Sequence, residues 1–338
     1  LQLRAKYSGR PLRSFSENRV PSAPRDDIAS HTRSCRRCQS RLAAMGDELS
    51  AAMSATAAFA GTAQVRPREN SDPDRSAVDA PPLERGASIG RYTIHDAHPE
   101  SMLSVAQVIE KSSNVGAAKI ALELPREQMW NMFERVGFGA PPQLRFPGEA
   151  SGKVRPWQTW RPIEQATMAY GHGISVSLMQ LAHAYTIFAR DGVLVPLTLV
   201  RAGTPVQGKR VISARTAHEV RDMLELAVQP GGTGGRARIV GWRVAGKTGT
   251  AHKEENGGYA PDKYIASFVG FAPASAPRMV IAVMIDEPAG REYYGGLVAA
   301  PVFAQVMQGA LRLLNVPHDA PLEPLEQPGG SDDAKEGT

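Results

Sequence analysis

Lys247-Thr-Gly-Thr250 is the stretch of this chain richest in usable chemistry. A lysine ammonium beside two hydroxyls makes a small cationic, donor-rich site suited to a carboxylate. Gly249 would let a ligand backbone lie close against a strand. The second candidate is Lys111-Ser112-Ser113-Asn114. A serine hydroxyl can relay a proton to a leaving amine, and an asparagine amide can hold a substrate amide as donor and acceptor at once. Each has a plainer reading as well. The first could be a solvated strand end, Ser112 could merely cap the following helix, and Ser16-Glu-Asn18 repeats the Ser-x-Asn spacing.

The first candidate overlaps a rival. Gly241-Trp-Arg-Val-Ala-Gly-Lys247-Thr248 satisfies the nucleotide-binding P-loop pattern, and Val280–Glu287 has the look of a strand ending in a magnesium-binding acid. A P-loop must open a helix, because helix N–H groups cradle the phosphates. Here the residues after Thr248 run into polar Lys253–Gly258 with no amphipathic period, while Trp242 and Val244 alternate with polar or small residues. Extended structure is the better fit.

The elements that must position these residues begin near residue 86. Leu103–Glu110 reads as a helix with Leu103, Ala106 and Ile109 inward. Pro125 is placed to open another that carries Met129, Trp130 and Phe133 and ends at Gly137. Ser177 can cap a third, Leu178 to Arg190, stopped near Gly192. Strand-like runs follow at Ile239–Thr248, Tyr264–Ala272 and Met279–Asp286, then an apolar helix at Val298–Leu314. Helices, then neighbouring strands, then a helix predict an α+β (α/β) fold, an antiparallel sheet flanked by helices.

Composition agrees with a globular domain of 86–316 between two less regular segments. The chain has 338 residues, 42% hydrophobic and 22% charged, which excludes a collagen, a disulfide scaffold and a multi-span membrane protein. No apolar run reaches the ~20 residues a membrane helix requires. The chain begins with Leu1, which leaves room for a signal or anchor ahead of it. Residues 1–85 hold few aromatics and show no sustained periodicity, so they are expected to be disordered or non-native, with at most a short helix at Arg41–Met53. Their Arg, Ser, Ala and Pro bias is also what a misread frame of a GC-rich gene would give. Residues 317–338 read as a disordered polar tail. Of the net charge of +5, residues 1–90 carry +4 (13 Arg and 1 Lys less 10 acids), which leaves +1 for the rest and no basic face for nucleic acid.

Together these motifs resemble the transpeptidase domain of class B penicillin-binding proteins of the division-specific FtsI type. The resemblance runs from about Gly86 to Val316. It rests on Arg91–Asp96, Val105–Val115, Tyr170-Gly-His-Gly-Ile174, Ala245–Ala251, Phe268–Pro273 and Tyr293-Tyr-Gly-Gly296, with 247 − 112 = 135 residues between the two chemical motifs. The superfamily signature is Ser-x-x-Lys, Ser-x-Asn and Lys-Thr-Gly. The resemblance implies a serine acyl transferase without a cofactor, acting on D-Ala-D-Ala stem peptides of septal peptidoglycan and acylated by β-lactams. It also implies a periplasmic location behind an inner-membrane anchor, and division-complex proteins as partners. Carried across, Ser112 relays the proton and Asn114 holds the substrate amide. Lys247 tunes the electrostatics, and Thr248, Gly249 and Thr250 receive the terminal carboxylate, with the Thr250 N–H as half of the oxyanion hole.

One departure matters. None of the nine lysines has a serine three positions before it, so Ser-x-x-Lys is absent. The expectation is a transpeptidase truncated or frame-damaged on its N-terminal side, inert, marginally folded, with an exposed sheet edge. The alternatives are a non-catalytic remnant that binds β-lactams or partners, and a serine β-lactamase. No Glu-x-x-Leu-Asn for a deacylating base is present to support the latter. Cys35-x-x-Cys38 with His31 lacks the second half of a zinc site, and His95-Asp96-Ala-His98 reads as an ordinary surface connection. Gly231-Gly-Thr-Gly-Gly235 reads as the turn feeding the lysine strand.

Overall fold

A three-stranded antiparallel sheet is the frame on which the lysine motif is carried. Its strands are β3 (Ala245–Glu255), β4 (Gly258–Ala272) and β5 (Met279–Asp286), in the order β5-β4-β3. The molecule is described from a computed structural model. It covers residues 86–322 except 101, 145, 256 and 257, together with the two-residue strands Arg19–Val20 and Arg66–Pro67. The short helix expected at Arg41–Met53 and the Cys35–Cys38 pair lie outside the described residues.

Side chains alternate across the sheet with period two. Ala245, Val269 and Phe271, with Val280 and Ala282, join one core cluster, whereas Phe268 and Ala272, with Ile281 and Val283, join another. The first cluster is roofed by helices ahead of the sheet in sequence. These include α1 (Val105–Glu110), α3 (Arg126–Arg135), α5 (Leu178–Ala189) and α6 (Ala214–Leu226). The second is roofed by α7 (Gly295–Leu313), whose Ala299, Ala300, Phe303, Met307 and Leu311 form one buried stripe. Apolar cover on both faces explains why β4 and β5 read as nearly continuous hydrophobic runs. A small hairpin, β1 (Gly86–Ile89) and β2 (Tyr92–His95), sits to the side. Its Ile94 packs with Ala118 of α2 (Asn114–Leu122) and Ala166 of α4 (Pro162–Met168).

Several boundaries differ from the sequence expectations, each for a local reason. The first helix starts at Val105, because Ser104 and Gln107 form a capping box. Val105, Val108 and Ile109 are buried, while Ala106 is not. The second buries Met129, Met132 and Phe133 and leaves Trp130 partly exposed. Ser177 caps the third as expected, and that helix stops at Ala189. Residues 239–244 are a turn closed by an Ile239–Trp242 bridge, so the lysine strand begins at Ala245. The polar Lys253–Gly258 stretch is the far end of the β3–β4 hairpin, and Met279–Asp286 falls where expected. α7 is the one described helix long and apolar enough by composition to cross a membrane, although no such run is legible at first sight; its buried stripe lies on the sheet.

The ordered chain continues past Val316. Asp319 accepts hydrogen bonds from the backbone N–H of Arg243 (2.7 Å) and the hydroxyl of Ser275 (2.6 Å), and Pro317 accepts one from the Trp242 indole. This clasp fixes the turn that launches the lysine strand. Phe303→Ala, which removes a ring packed 4.7 Å from Phe268, is expected to cost about 3–5 kcal/mol in denaturant unfolding. Asp319→Ala, at a half-exposed site, is expected to cost ~1 kcal/mol.

Candidate active site

Lys247 lies opposite Val269 in the β3–β4 ladder and is 2% exposed. Its ammonium reaches only the carbonyl oxygen and the hydroxyl of Thr248, at 3.4 and 3.5 Å, and no carboxylate among the described residues pairs with it. Burial without a counter-charge disfavours the cation and lowers its pKa to about 7. At neutral pH the group therefore titrates, and an incoming carboxylate would hold it charged.

The neighbouring hydroxyls are fixed. Thr248 Oγ1 is 2.8 Å from Thr233 Oγ1, and Thr250 Oγ1 accepts a hydrogen bond from the Gly295 N–H at 3.0 Å, leaving its own hydrogen to donate. The start of α7 can approach this closely only because it is glycine. A Cβ on Gly295 would fall 2.4 Å from the Gly249 oxygen, and one on Gly296 would fall 2.2 Å from the Thr233 oxygen.

The serine–asparagine turn joins α1 to α2. Ser112 takes a positive φ of 58°, a sparsely populated conformation for serine, and its hydroxyl makes no hydrogen bond among the described residues. It does not cap the following helix, as its position suggested. Ser113 does, accepting the Gly116 N–H at 2.9 Å. Asp96 secures the turn by accepting the Ser113 hydroxyl at 2.6 Å and the Val115 N–H at 2.9 Å. Asn114 Nδ2 donates to the His95 oxygen at 3.3 Å. The His95–Asp96 stretch, expected to be an ordinary surface connection, thus positions the second motif.

One loop ties the two motifs together. Lys111 Nζ donates to the Gly231 oxygen at 2.8 Å, and two residues on, Thr233 meets Thr248. Behind this link α1 packs on α6, and α6 packs on β3. The Gly231–Gly235 segment does lead toward the strand, but it is also the strut between the two walls. A third motif approaches from Tyr170-Gly-His-Gly173: burial, followed by the influence of nearby His252, holds His172 down to about 4. His252 packs tilted against Tyr264 at 4.5 Å and Tyr264 stacks on Tyr293 at 3.9 Å, which brings in the Tyr293–Gly296 stretch.

All six residues singled out from sequence lie on these two walls: Ser112 and Asn114 on the turn, Lys247, Thr248, Gly249 and Thr250 on the strand. Sequence reasoning missed Asp96, Lys111, Thr233 and His252. The glycines around Thr233 offered a signal, as the turn feeding the lysine strand. The P-loop alternative fails on geometry, since Gly241–Thr248 leads into a strand and not a helix. Among the described residues no group of three His, Cys, Asp or Glu could hold a metal ion.

Comparison with known proteins is consistent across three kinds of match. The family described as penicillin binding protein transpeptidase domain matches residues 68–308, starting upstream of the boundary near 86. The probable peptidoglycan D,D-transpeptidase PenA of Neisseria gonorrhoeae is 45% identical over 237 residues, 70% of this chain and 40% of that protein. The peptidoglycan D,D-transpeptidase FtsI of Escherichia coli is 40% identical over 232 residues, 69% of this chain and 40% of that protein. The chain thus spans about two-fifths of the length of these relatives. The apo structure of the TP domain of Burkholderia pseudomallei penicillin-binding protein 3 superposes with a TM-score of 0.68 at 43% identity, covering 82% of this chain and 81% of that one.

The lysine makes a checkable statement about stability. Its folded pKa of about 7 lies below the unfolded value of ~10.4, so between those limits the unfolded chain binds more protons. Stability gained from this group therefore rises with pH across that window, by up to ~1.4 kcal/mol per unit. Lys247→Met is expected to be more stable than the parent at pH 7 in urea unfolding, with the gap closing toward pH 10.

Proposed function

The chain belongs to the penicillin-binding protein transpeptidase-domain family, and from that premise we propose that it carries two walls of a septal, FtsI-like D,D-transpeptidase site without the nucleophile. The single observation that supports the reading is the strut: the serine–asparagine turn and the lysine strand meet the same Gly231–Thr233 loop.

In the proposed chemistry, a stem peptide ending in D-Ala-D-Ala lies along β3, where Gly249 leaves room for its backbone. Its terminal carboxylate is received by the Thr248 and Thr250 hydroxyls beside the Lys247 cation. Asn114 holds the penultimate amide. The Thr250 N–H supplies half of the hole for the oxyanion that forms when a serine oxygen adds to the carbonyl carbon. Ser112, whose hydroxyl makes no hydrogen bond among the described residues, passes a proton to the leaving D-Ala amine. The acyl group is then taken by an amine of a neighbouring stem. Residues 86–316 supply every part of this except the attacking serine and its lysine base.

The chain is therefore proposed to bind stem peptides and β-lactams without being acylated, on the periplasmic side of the bacterial inner membrane, with division-complex proteins as partners. Residues 1–67, ahead of the family match, are proposed to be a divergent or frame-damaged replacement for the missing serine segment, and the tail beyond the Asp319 clasp to lie outside the catalytic unit. Intact-mass measurement after incubation with penicillin is expected to show no adduct; a hydroxylamine-sensitive mass increase overturns the inertness. Non-covalent binding of an acyl-D-Ala-D-Ala peptide is expected to weaken as pH rises through about 7, where Lys247 loses its charge. A pH-independent affinity contradicts the assignment of the carboxylate to that lysine.

A further inference from the structure

Arg243 stands just ahead of β3 and is held from three directions. Its guanidinium donates a fork of two hydrogen bonds to the Glu225 carboxylate of α6, from Nε at 2.7 Å and from Nη2 at 2.6 Å. Its backbone N–H donates to Asp319 at 2.7 Å, and its carbonyl oxygen accepts the Ala274 N–H at 2.8 Å. Asp319 in turn accepts the N–H and the hydroxyl of Ser275, while the Asp319 and Ala320 N–H groups donate to the Gly241 oxygen. The bond to Glu225, with Asp319 and Asp222 beyond it, raises the Arg243 pKa above its ordinary value, so the group stays charged. The pair is enclosed mainly on the acid's side, with side-chain exposures of 44% for Arg243 and 15% for Glu225.

We propose that Arg243, gripped by Glu225 and Asp319, is a positioning residue for Lys247. Two ties then join β3 to α6 and the loop that follows it: Glu225 to Arg243 ahead of the strand, and Thr233 to Thr248 just past the lysine. Lys247 lies between them. The ladder to β4 decides which residues face each other, Lys247 opposite Val269, but it leaves the hairpin free to tilt as a unit. The two ties remove that freedom. Because α6 also packs on α1, they set where the lysine stands relative to the serine–asparagine turn. The residue types suit this role. An arginine fork meets a carboxylate at two points and so fixes an angle as well as a distance, which a lysine cannot do. A partly exposed ion pair contributes little to global stability, so its effect is to be read in the site. Tilting β3 away from α6 would admit water to an ammonium that is now buried. This role rests on Lys247 being the cation that receives a carboxylate, and adds to that reading the group that keeps the cation in place.

NMR titration of the full 338-residue chain with 13C-labelled lysine tests it, the Lys247 signal being assigned by its loss in Lys247→Met. The parent is expected to titrate at about 7. In Glu225→Gln, and in Arg243→Lys, which keeps the charge but not the fork, the midpoint rises by about one unit as water reaches the ammonium. At pH 6, where the lysine is charged in every variant, both bind an acyl-D-Ala-D-Ala peptide about tenfold more weakly than the parent. Arg215→Ala, which breaks the exposed pair with Glu219 elsewhere on α6, moves neither quantity. Asp319→Asn decides the case if either variant fails to fold, with a smaller rise expected and an unchanged midpoint counting against the role. Midpoints equal to the parent's in folded Glu225→Gln and Arg243→Lys overturn the proposal. So does a parent Lys247 that titrates in the ordinary lysine range, because the pair then has no enclosure to maintain. A parent that titrates near 7 yet binds no peptide contradicts the acyl-transfer reading alone, and the midpoint shift still decides the role of Arg243.

Discussion

The loop from Gly231 to Thr233 is the constraint on which the rest of the site depends. It takes the Lys111 ammonium on a carbonyl and offers the Thr233 hydroxyl to Thr248, so that two motifs 135 residues apart share one support (247 − 112 = 135). The energies set the division of labour. A hydrogen bond from a charged group contributes about 1.5–3 kcal/mol and a neutral one ~1 kcal/mol. That is too little to hold two walls together against the chain's freedom. The packing of α1 on α6 and of α6 on β3 brings the walls within reach, and the strut then sets their final distance.

Electrostatics follow from the same enclosure. Lys247 is buried by the β4 ladder and the helices around it, and no acid among the described residues offsets its charge. Such an arrangement costs stability in the empty protein and favours an anionic ligand, a pattern associated with sites built for binding. Burial acts on His172 in the same direction and holds it neutral across the physiological range.

Legibility in the sequence followed the range of the interactions involved. Ser177 with Gln180 and the continuous apolar run of β5 are local, and both fell where expected. The start of β3 did not, because Trp242 and Val244 alternate like a strand yet are buried by a turn that packs under α7 and the C-terminal clasp. α6 was missed although Ala217, Val220 and Leu224 follow helical spacing and Ser213 caps it. On the site, residue chemistry found the strand and the turn. It could not find Asp96, whose two hydrogen bonds reach Ser113 and Val115 across a hairpin, or Thr233, which looks like a spacer between glycines. Their roles come from neighbours that only the fold supplies.

Hydrogen exchange with and without an acyl-D-Ala-D-Ala peptide tests the shared pocket most directly. Simultaneous protection of residues 112–116 and 247–251 is the result predicted for two walls facing one ligand. Protection confined to one of these segments, or to neither, contradicts it.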